Sequence, residues 1–299
     1  MKNEILAIVV TFNRKHILKD AIIALLNQTN RELDILIVDN ASTDGTKEYI
    51  SGELRNDTVF YENTGENLGG AGGFSYGVKS GIKHGYKYLW LMDDDTIPEP
   101  DCLENLLKAK DVLNEKFGFL CSYVEWIDGM PCHMNMPALA KNWGNYANLL
   151  DQGLLSVKTA SFVSFFVKSE VVKEVGLPIK EFFIWGDDME FSRRITKKYP
   201  SFFVKGSKVI HKMKSNKSTD IHEETGERLD RYGLLYRNRF YYGKKNGVKE
   251  FLFYIDYVME SIWRIIAKAP DRRGKRIWLL IKGFVKGIFF NPNIEFPEK

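Results

Sequence analysis

The apolar run Tyr88-Leu89-Trp90-Leu91-Met92 leads without a break into Asp93, Asp94 and Asp95. Such a run reads as a strand buried on both faces, and strands of a parallel sheet deliver their last residues to the crevice where ligands bind. Three carboxylates therefore meet where a buried strand reaches the surface. Clustered carboxylate oxygens are what Mg²⁺ or Mn²⁺ requires. Asp93 and Asp95, two apart, fit an Asp-x-Asp arrangement in which a protein carboxylate and a nucleotide diphosphate share one metal. The same triplet also reads as a loop that caps a helix beginning near Pro98 to Asp101.

With 299 residues, 44% hydrophobic and 27% charged, the chain can bury a sizeable core and is globular. Cys102, Cys121 and Cys132 are odd in number and lack a Cys-x-x-Cys spacing, which argues against a disulfide framework or a structural zinc site and fits a reducing cytosol. Met1-Lys2-Asn3-Glu4 runs straight into an apolar segment, so a separate signal-peptide region is not expected. Phe251 to Ala267 is interrupted by Asp256, Glu260 and Arg264, and Ile277 to Phe290 by Lys282 and Lys286. Neither reaches the roughly 18 unbroken apolar residues that span a bilayer.

From the start, strand alternates with helix. Ile5 to Val10 reads as a buried parallel strand, and Arg14 to Gln28 carries helical periodicity at Ile17, Leu18, Ala21, Ile22, Leu25 and Leu26. Leu33 to Val38 is a second buried strand, ending in the polar turn Asp39 to Gly45 before a helix from Thr46. Thr58 to Tyr61 is a short third strand; a glycine-rich turn follows Asn67, then a helix to about Gly85 and the strand ending at the aspartates. Further strands are expected over Phe117 to Glu125, Val157 to Lys168 and Phe202 to Val209, with helices over Pro100 to Glu115 and Asp188 to Lys198. The pattern is that of a nucleotide-binding α/β half.

The stretch Asn67-Leu68-Gly69-Gly70-Ala71-Gly72-Gly73-Phe74 fails the spacing of a dinucleotide fingerprint, because Ser75 stands at its last glycine position and the stretch lies at the third unit. Its glycines suit a helix N-terminus approached closely by a ligand, or a tight turn without one. A second acidic cluster, Trp185-Gly186-Asp187-Asp188-Met189-Glu190, opens a helix. Capping would explain it; so would a general base poised beside an acceptor hydroxyl, with Phe183 and Trp185 offering a flat surface to a sugar ring.

Taken together, Val9-Val10-Thr11-Phe12-Asn13-Arg14, Leu36 to Thr46, Asn67-Leu68-Gly69-Gly70, Asp93-Asp94-Asp95 and Trp185-Gly186-Asp187-Asp188 resemble the ordered motifs of inverting glycosyltransferases of family 2. The resemblance covers about residues 4 to 215 and is strongest to bacterial galactofuranosyltransferases and related rhamnosyltransferases. It implies the GT-A fold: an α/β, Rossmann-like mixed sheet flanked by helices, here with a C-terminal helical appendage.

The resemblance further implies a set of roles. Thr11, Phe12, Arg14, Asp39, Asn67, Gly69, Gly70 and Asp94 would line the site of the nucleotide-sugar donor. Asp93, Asp95 and His211 would hold Mn²⁺ or Mg²⁺; by itself, a His ending an apolar strand more often is a satisfied core residue. Asp188 would act as the base and Asp187 would orient acceptor hydroxyls, with Trp185 and Glu190 binding the acceptor. Gly186 departs from relatives whose acidic pair directly follows Trp, which leaves the division between Asp187 and Asp188 open. Lys212, Lys214 and Lys217 read as a basic flap over the diphosphate or as a solvated loop.

Residues 1–227 are expected to form the catalytic domain and residues 228–299 the appendage. Between Lys244 and Lys286 stand eleven Lys/Arg against four Asp/Glu, an excess larger than the net +4 of the whole chain. With Trp263 and Trp278 interleaved, this segment suits an anionic membrane surface; a bundle packed on the catalytic domain or on a second subunit of a homo-oligomer is the competing use. Nucleic acid is a poor partner, since the basic residues alternate with aliphatic and aromatic runs. The expected function is a metal-dependent inverting transferase, cytoplasmic and peripheral on the inner face of the membrane. It would move galactofuranose from UDP-galactofuranose, or rhamnose from dTDP-rhamnose, to a lipid-linked glycan of a bacterial surface polysaccharide. A non-catalytic nucleotide-sugar or cation-binding module is the rival that would keep the Asp93–Asp95 site without needing Asp188.

Overall fold

In a computed structural model, which describes residues 3–54, 56–216, 220–224 and 226–297, the apolar runs become the central strands of a mixed sheet. In chain order these are β1 (Ile5–Thr11), α1 (Lys15–Leu26), β2 (Leu33–Asp39), α2 (Thr46–Glu53), β3 (Val59–Asn63), α3 (Gly69–Lys83), β4 (Tyr88–Asp93), β5 (Thr96–Pro98), α4 (Cys102–Val112) and β6 (Phe119–Trp126). There follow β7 (Ala138–Leu139), β8 (Leu154–Thr159), β9 (Phe165–Lys168), α5 (Ser169–Val175), α6 (Asp187–Thr196), β10 (Phe202–His211), α7 (Tyr232–Asn246), α8 (Val248–Lys268) and α9 (Arg273–Phe289). The strand order is β3-β2-β1-β4-β9-β6-β10-β8-β7, with β5 on the far end of β10.

The chain forms two compact units. The first comprises Met1–Lys180, Asp188–Asn216 and Ile294–Lys299. Alternation along its strands sorts side chains to two faces. Ile5, Ala7 and Val9 join Trp90, Met92 and the inner faces of α1 and α4, while Leu6, Ile8 and Val10 join Leu89, Leu91 and residues of α3, α5 and α6. Both faces are covered, which is why these strands read as unbroken apolar runs.

Two expected elements come out differently. The single strand expected over Val157 to Lys168 is two strands, β8 and β9, separated by a bend in which Ser164 has φ +62° and donates or accepts within a buried hydroxyl cluster with Ser122. The glycine-rich turn is the opening of α3 itself, and most of its glycines serve packing. A Cβ at Gly73 would lie 2.5 Å from Val10 Cγ1, one at Gly77 2.5 Å from Ile8 Cγ2, and one at Gly81 2.6 Å from Leu89 Cδ2. These three glycines, each four residues apart, form one bare stripe that seats the helix directly on β1 and its neighbours. Gly70, by contrast, faces open space.

The second unit comprises Glu181–Asp187 and Lys217–Asn293. Its core gathers Tyr232, Tyr236, Phe240, Tyr254, Val258 and Leu279 from α7, α8 and α9. Gly283 and Gly287 bring α9 against the backbone at Gly233 and the ring of Phe240. Asn238 on α7, fully buried, donates from Nδ2 to the carbonyls of Phe182, Ile184 and Trp185 at 2.9–3.0 Å. That segment needs an external clamp, since Phe183, Trp185 and Gly186 all adopt φ between +64° and +89°, a region costly for side chains with a Cβ.

The glycine stripe yields a stability prediction. Gly77→Ala should destabilise the protein, because overpacking costs about 1–3 kcal/mol, more than the ~1 kcal/mol that Ala gains over Gly in a helix. Gly70→Ala, facing open space, should leave the unfolding midpoint unchanged or slightly raised. Denaturant titrations of the two variants check the pair.

Candidate active site

Parallel register assembles the site. Thr11 at the end of β1 pairs with Asp39 at the end of β2, and Val10 pairs with Asp93 at the end of β4, so three strands release their polar residues at one edge. The antiparallel pairing of β10 with β5 sets His211 opposite Thr96, one residue past Asp95. One carboxylate oxygen from each of Asp93 and Asp95 and one nitrogen of His211 consequently lie within 4.8 Å of one another. Two hard oxygens and an imidazole nitrogen suit Mn²⁺ or Mg²⁺ and leave positions for further oxygen ligands.

Compensating groups surround the aspartates. Arg14 donates from Nη1 to Asp94 at 2.6 Å and from Nη2 to Asp95 at 2.8 Å, and the hydroxyl of Thr11 donates to the other oxygen of Asp94 at 2.8 Å. Burial pushes the Asp94 carboxyl up to about 7 against the pull of Arg14 and Thr11, with Asp95 and Asp93 adding to the rise. Asp93, which is partly exposed, is pushed up to about 6 by desolvation and by Asp95, with a further contribution from Asp188. Asp95 goes the other way. Desolvation opposes its charge, but the hydrogen bond and charge of His211 and the Arg14 fork outweigh it and hold the group below the usual carboxylate range. For His211 desolvation favours the neutral ring, and the bond from Nε2 to Asp95 at 3.0 Å, with the charges of Asp95 and Asp93, overrides it and raises its pKa.

The residues expected to line the donor site divide by partner. Asp39 is buried and accepts from Ser42 N at 2.8 Å and from the Tyr61 hydroxyl at 2.6 Å. Burial and that bond push Tyr61 up to about 12. Phe12 is exposed directly after β1. Asn67 Oδ1 accepts from Gly69 N, and Asn40 Nδ2 donates to the Gly69 carbonyl, so the opening of α3 is tied to the loop after β2. Asn13 bridges to Ser42 and Thr43, closing the loops after β1 and β2 on each other.

On α6, Asp188 is partly exposed and Asp187 is buried. Burial pushes Asp188 up to about 6, against the amide of Met189, which donates to it at 2.6 Å. Glu190 is taken up by a bidentate ion pair with Arg194, whose guanidinium also donates to the carbonyls of Val175 and Leu177. Within the second unit, Trp185 packs on Tyr232 with ring centres 5.0 Å apart, and Phe183 is exposed.

The segment after β10 is tethered. Lys212 pairs with Asp20, Met213 O accepts from Trp126 Nε1, and Asn216 bonds Pro131 O and His133 N. Lys217 lies outside the described residues. Tyr61, bonded to Asp39, Asn135, bonded to His211, and Cys132, bonded to Asn135, carry no motif that would have singled them out.

Comparison with known proteins agrees with this geometry. The model of "Glycosyl transferase family 2" matches residues 6–170. The chain is 24% identical over 293 residues to galactofuranosyltransferase GlfT1 of Mycolicibacterium smegmatis, covering 92% of this chain and 94% of that protein. Among solved structures, GalNAc-T7 with UDP, GalNAc and Mn²⁺ superposes with a TM-score of 0.57 at 15% identity, covering 89% of this chain and 58% of that one. TarS of S. aureus gives 0.54 at 13% identity, covering 95% and 43%. Both are GT-A folds, and the mixed sheet described above has that fold.

The ionisation pattern predicts proton-linked cation binding. Below the pKa of Asp93 a proton competes with the cation, and the raised His211 must give up its Nε2 proton to ligate, so affinity should rise with pH. A Mn²⁺ titration followed by electron paramagnetic resonance should show tightening from about pH 5.5 to about pH 8. A flat profile would contradict the assignment of these three ligands.

Proposed function

The chain belongs to glycosyl transferase family 2, and from that premise we propose that it transfers galactofuranose from UDP-galactofuranose to a lipid-linked glycan with inversion at the anomeric carbon. One observation carries the reading: Asp188, more than ninety residues beyond Asp95 in sequence, lies close enough to Asp93 to raise its pKa. A binding module has no need of a second carboxylate there. The similarity to GlfT1 favours galactofuranose as the transferred sugar.

In this reading Asp188, the accessible member of its pair, accepts the proton of an acceptor hydroxyl. The hydroxyl oxygen forms a bond to the anomeric carbon as the carbon–oxygen bond to the diphosphate breaks on the opposite face, and UDP leaves with the electron pair. Asp187 orients the acceptor. Phe12, Asp39, Asn67, Gly69 and Gly70 receive the nucleotide, and Arg14 provides permanent positive charge beside the diphosphate. Asp93, Asp95 and His211 would hold a divalent cation, which would neutralise charge on the leaving diphosphate.

Asp188→Asn keeps the shape and removes the basicity. Its turnover should fall by at least about 10²-fold while donor affinity stays near wild type. In the wild type, release of UDP from UDP-galactofuranose should decline as pH drops through about 6, because a raised carboxyl pKa protonates the base there. Turnover of dTDP-rhamnose in place of UDP-galactofuranose would reassign the donor, and near-normal turnover of Asp188→Asn would remove Asp188 from the mechanism.

We also propose that α8 and α9 rest on an anionic membrane. Leu252, Met259, Trp263 and Ile266 form an exposed stripe on α8, and Trp278, Ile281, Val285 and Ile288 another on α9. Lys268 lies over the Trp263 ring and Lys282 over the Trp278 ring, an apolar body beside a cationic tip. Among the described residues no helix is long and apolar enough to cross a membrane. Each Lys or Arg near an anionic surface contributes on the order of 1 kcal/mol. The full chain should therefore sediment with phosphatidylglycerol vesicles and be released by salt, and the double variant Trp263→Glu/Trp278→Glu should stay in solution. Equal sedimentation of the double variant, or a full chain that ignores the vesicles, would make these stripes subunit contacts.

A further inference from the structure

The cation site described above is backed by a buried amide. Asn135 closes a short 3-10 turn, His133–Asn135, and is itself buried. Its Oδ1 lies 2.8 Å from Nδ1 of His211 and accepts from the thiol of Cys132 at 3.0 Å, while its Nδ2 donates to Ser161 Oγ at 2.9 Å. The turn is fixed from behind, with Cys132 N bonded to Val124 O and His133 N to Asn216 Oδ1.

An amide oxygen carries no proton and can only accept. Facing it, Nδ1 of His211 must hold a hydrogen, which leaves Nε2, 3.0 Å from Asp95, as the nitrogen whose lone pair can be given to a cation. Were the amide turned over, Nδ2 would confront Nδ1 and the Cys132 thiol would face a donor. Metal-bound histidines depend on this kind of partner for tautomer and ring orientation.

We propose that Asn135 is a positioning residue that sets His211 as an Nε2 ligand of a divalent cation. The proposal rests on the reading that Asp93, Asp95 and His211 hold that cation, and a metal-affinity experiment separates the two. With the full chain and Mn²⁺ as probe, wild type, Asn135→Leu, Asn135→Asp, His211→Ala and the double variant Asn135→Leu/His211→Ala are titrated by electron paramagnetic resonance. Asn135→Leu should weaken Mn²⁺ binding by about 10- to 100-fold, and Asn135→Asp, which restores an acceptor, should bind within a few-fold of wild type. In the His211→Ala background, Asn135→Leu should have no further effect, whereas a merely structural residue would add its own loss.

A second measurement needs no variant. In ¹⁵N-histidine-labelled wild type with Mg²⁺ added, His211 should show a protonated Nδ1 and an unprotonated Nε2. The opposite tautomer, an Asn135→Leu protein that binds Mn²⁺ as wild type does, or additive losses in the double variant would each overturn the proposal. A wild type that binds no Mn²⁺ would instead overturn the cation reading beneath it.

Discussion

Three carboxylates in succession at the end of a buried strand repel one another, and the surroundings of β4 are arranged against that repulsion. Arg14 spans two of them, and its guanidinium stays charged at any pH a protein survives. Thr11 and His211 take further oxygens. The compensation is incomplete. Asp93 and Asp94 are pushed up to about 6 and about 7, so near neutrality the cluster lies close to taking up protons. A group in that condition has a strong electrostatic preference for added positive charge, and a divalent cation at Asp93 and Asp95 would meet it, with the oxygens already converged. The same field acts on Asp188, since a charge that raises Asp93 is in turn disfavoured by it. Positive charge at the aspartates therefore favours the ionised form of Asp188.

Holding those groups in place is a task of backbone packing, and glycine accomplishes it in both units. In the first, Gly73, Gly77 and Gly81 let the backbone of α3 lie directly on the side chains of β1 and β4, which fixes where the opening of the helix meets Asn40. In the second, Gly283 and Gly287 do the same for α9 on α7. Close seating of this kind leaves few alternative positions for the elements, because interiors are packed as densely as organic crystals. The rigidity reaches the second unit's own loop. Asn238, held within α7, grips three carbonyls of a segment with three residues at positive φ. Hydrogen bonds to a buried side chain offset the conformational strain there.

Much of this was legible in the sequence because it depends on local pattern. Strands covered on both faces must be apolar throughout, so β1, β2 and β4 announce themselves, and parallel pairing carries their polar termini to one edge. The aspartates follow from that logic; His211 does not, since it ends a strand set against β5 by antiparallel pairing and is suggested as a ligand by the family resemblance alone. The break at Ser164 escaped it, since the bend between β8 and β9 rests on a buried hydroxyl cluster assembled from distant strands. The stripe in α3 escaped it too, since glycines at a four-residue spacing read equally as a loop that approaches a ligand.

Least legible were the groups that act through another residue. Asn135 lies 76 positions from His211, and Asn238 lies 53 to 56 from the carbonyls it binds. Tyr61 is 22 from Asp39. Such an asparagine or tyrosine has no spacing that marks it, because its partner is brought up by the packing of a segment distant in sequence. Glu190 illustrates the converse: standing among carboxylates that the motif makes conspicuous, it is committed to Arg194 one turn along the same helix, an i,i+4 relation that charge pattern alone does contain. Sequence motif thus points to the residues of the candidate site. The groups bonded to them come into view only when the fold has brought distant segments together.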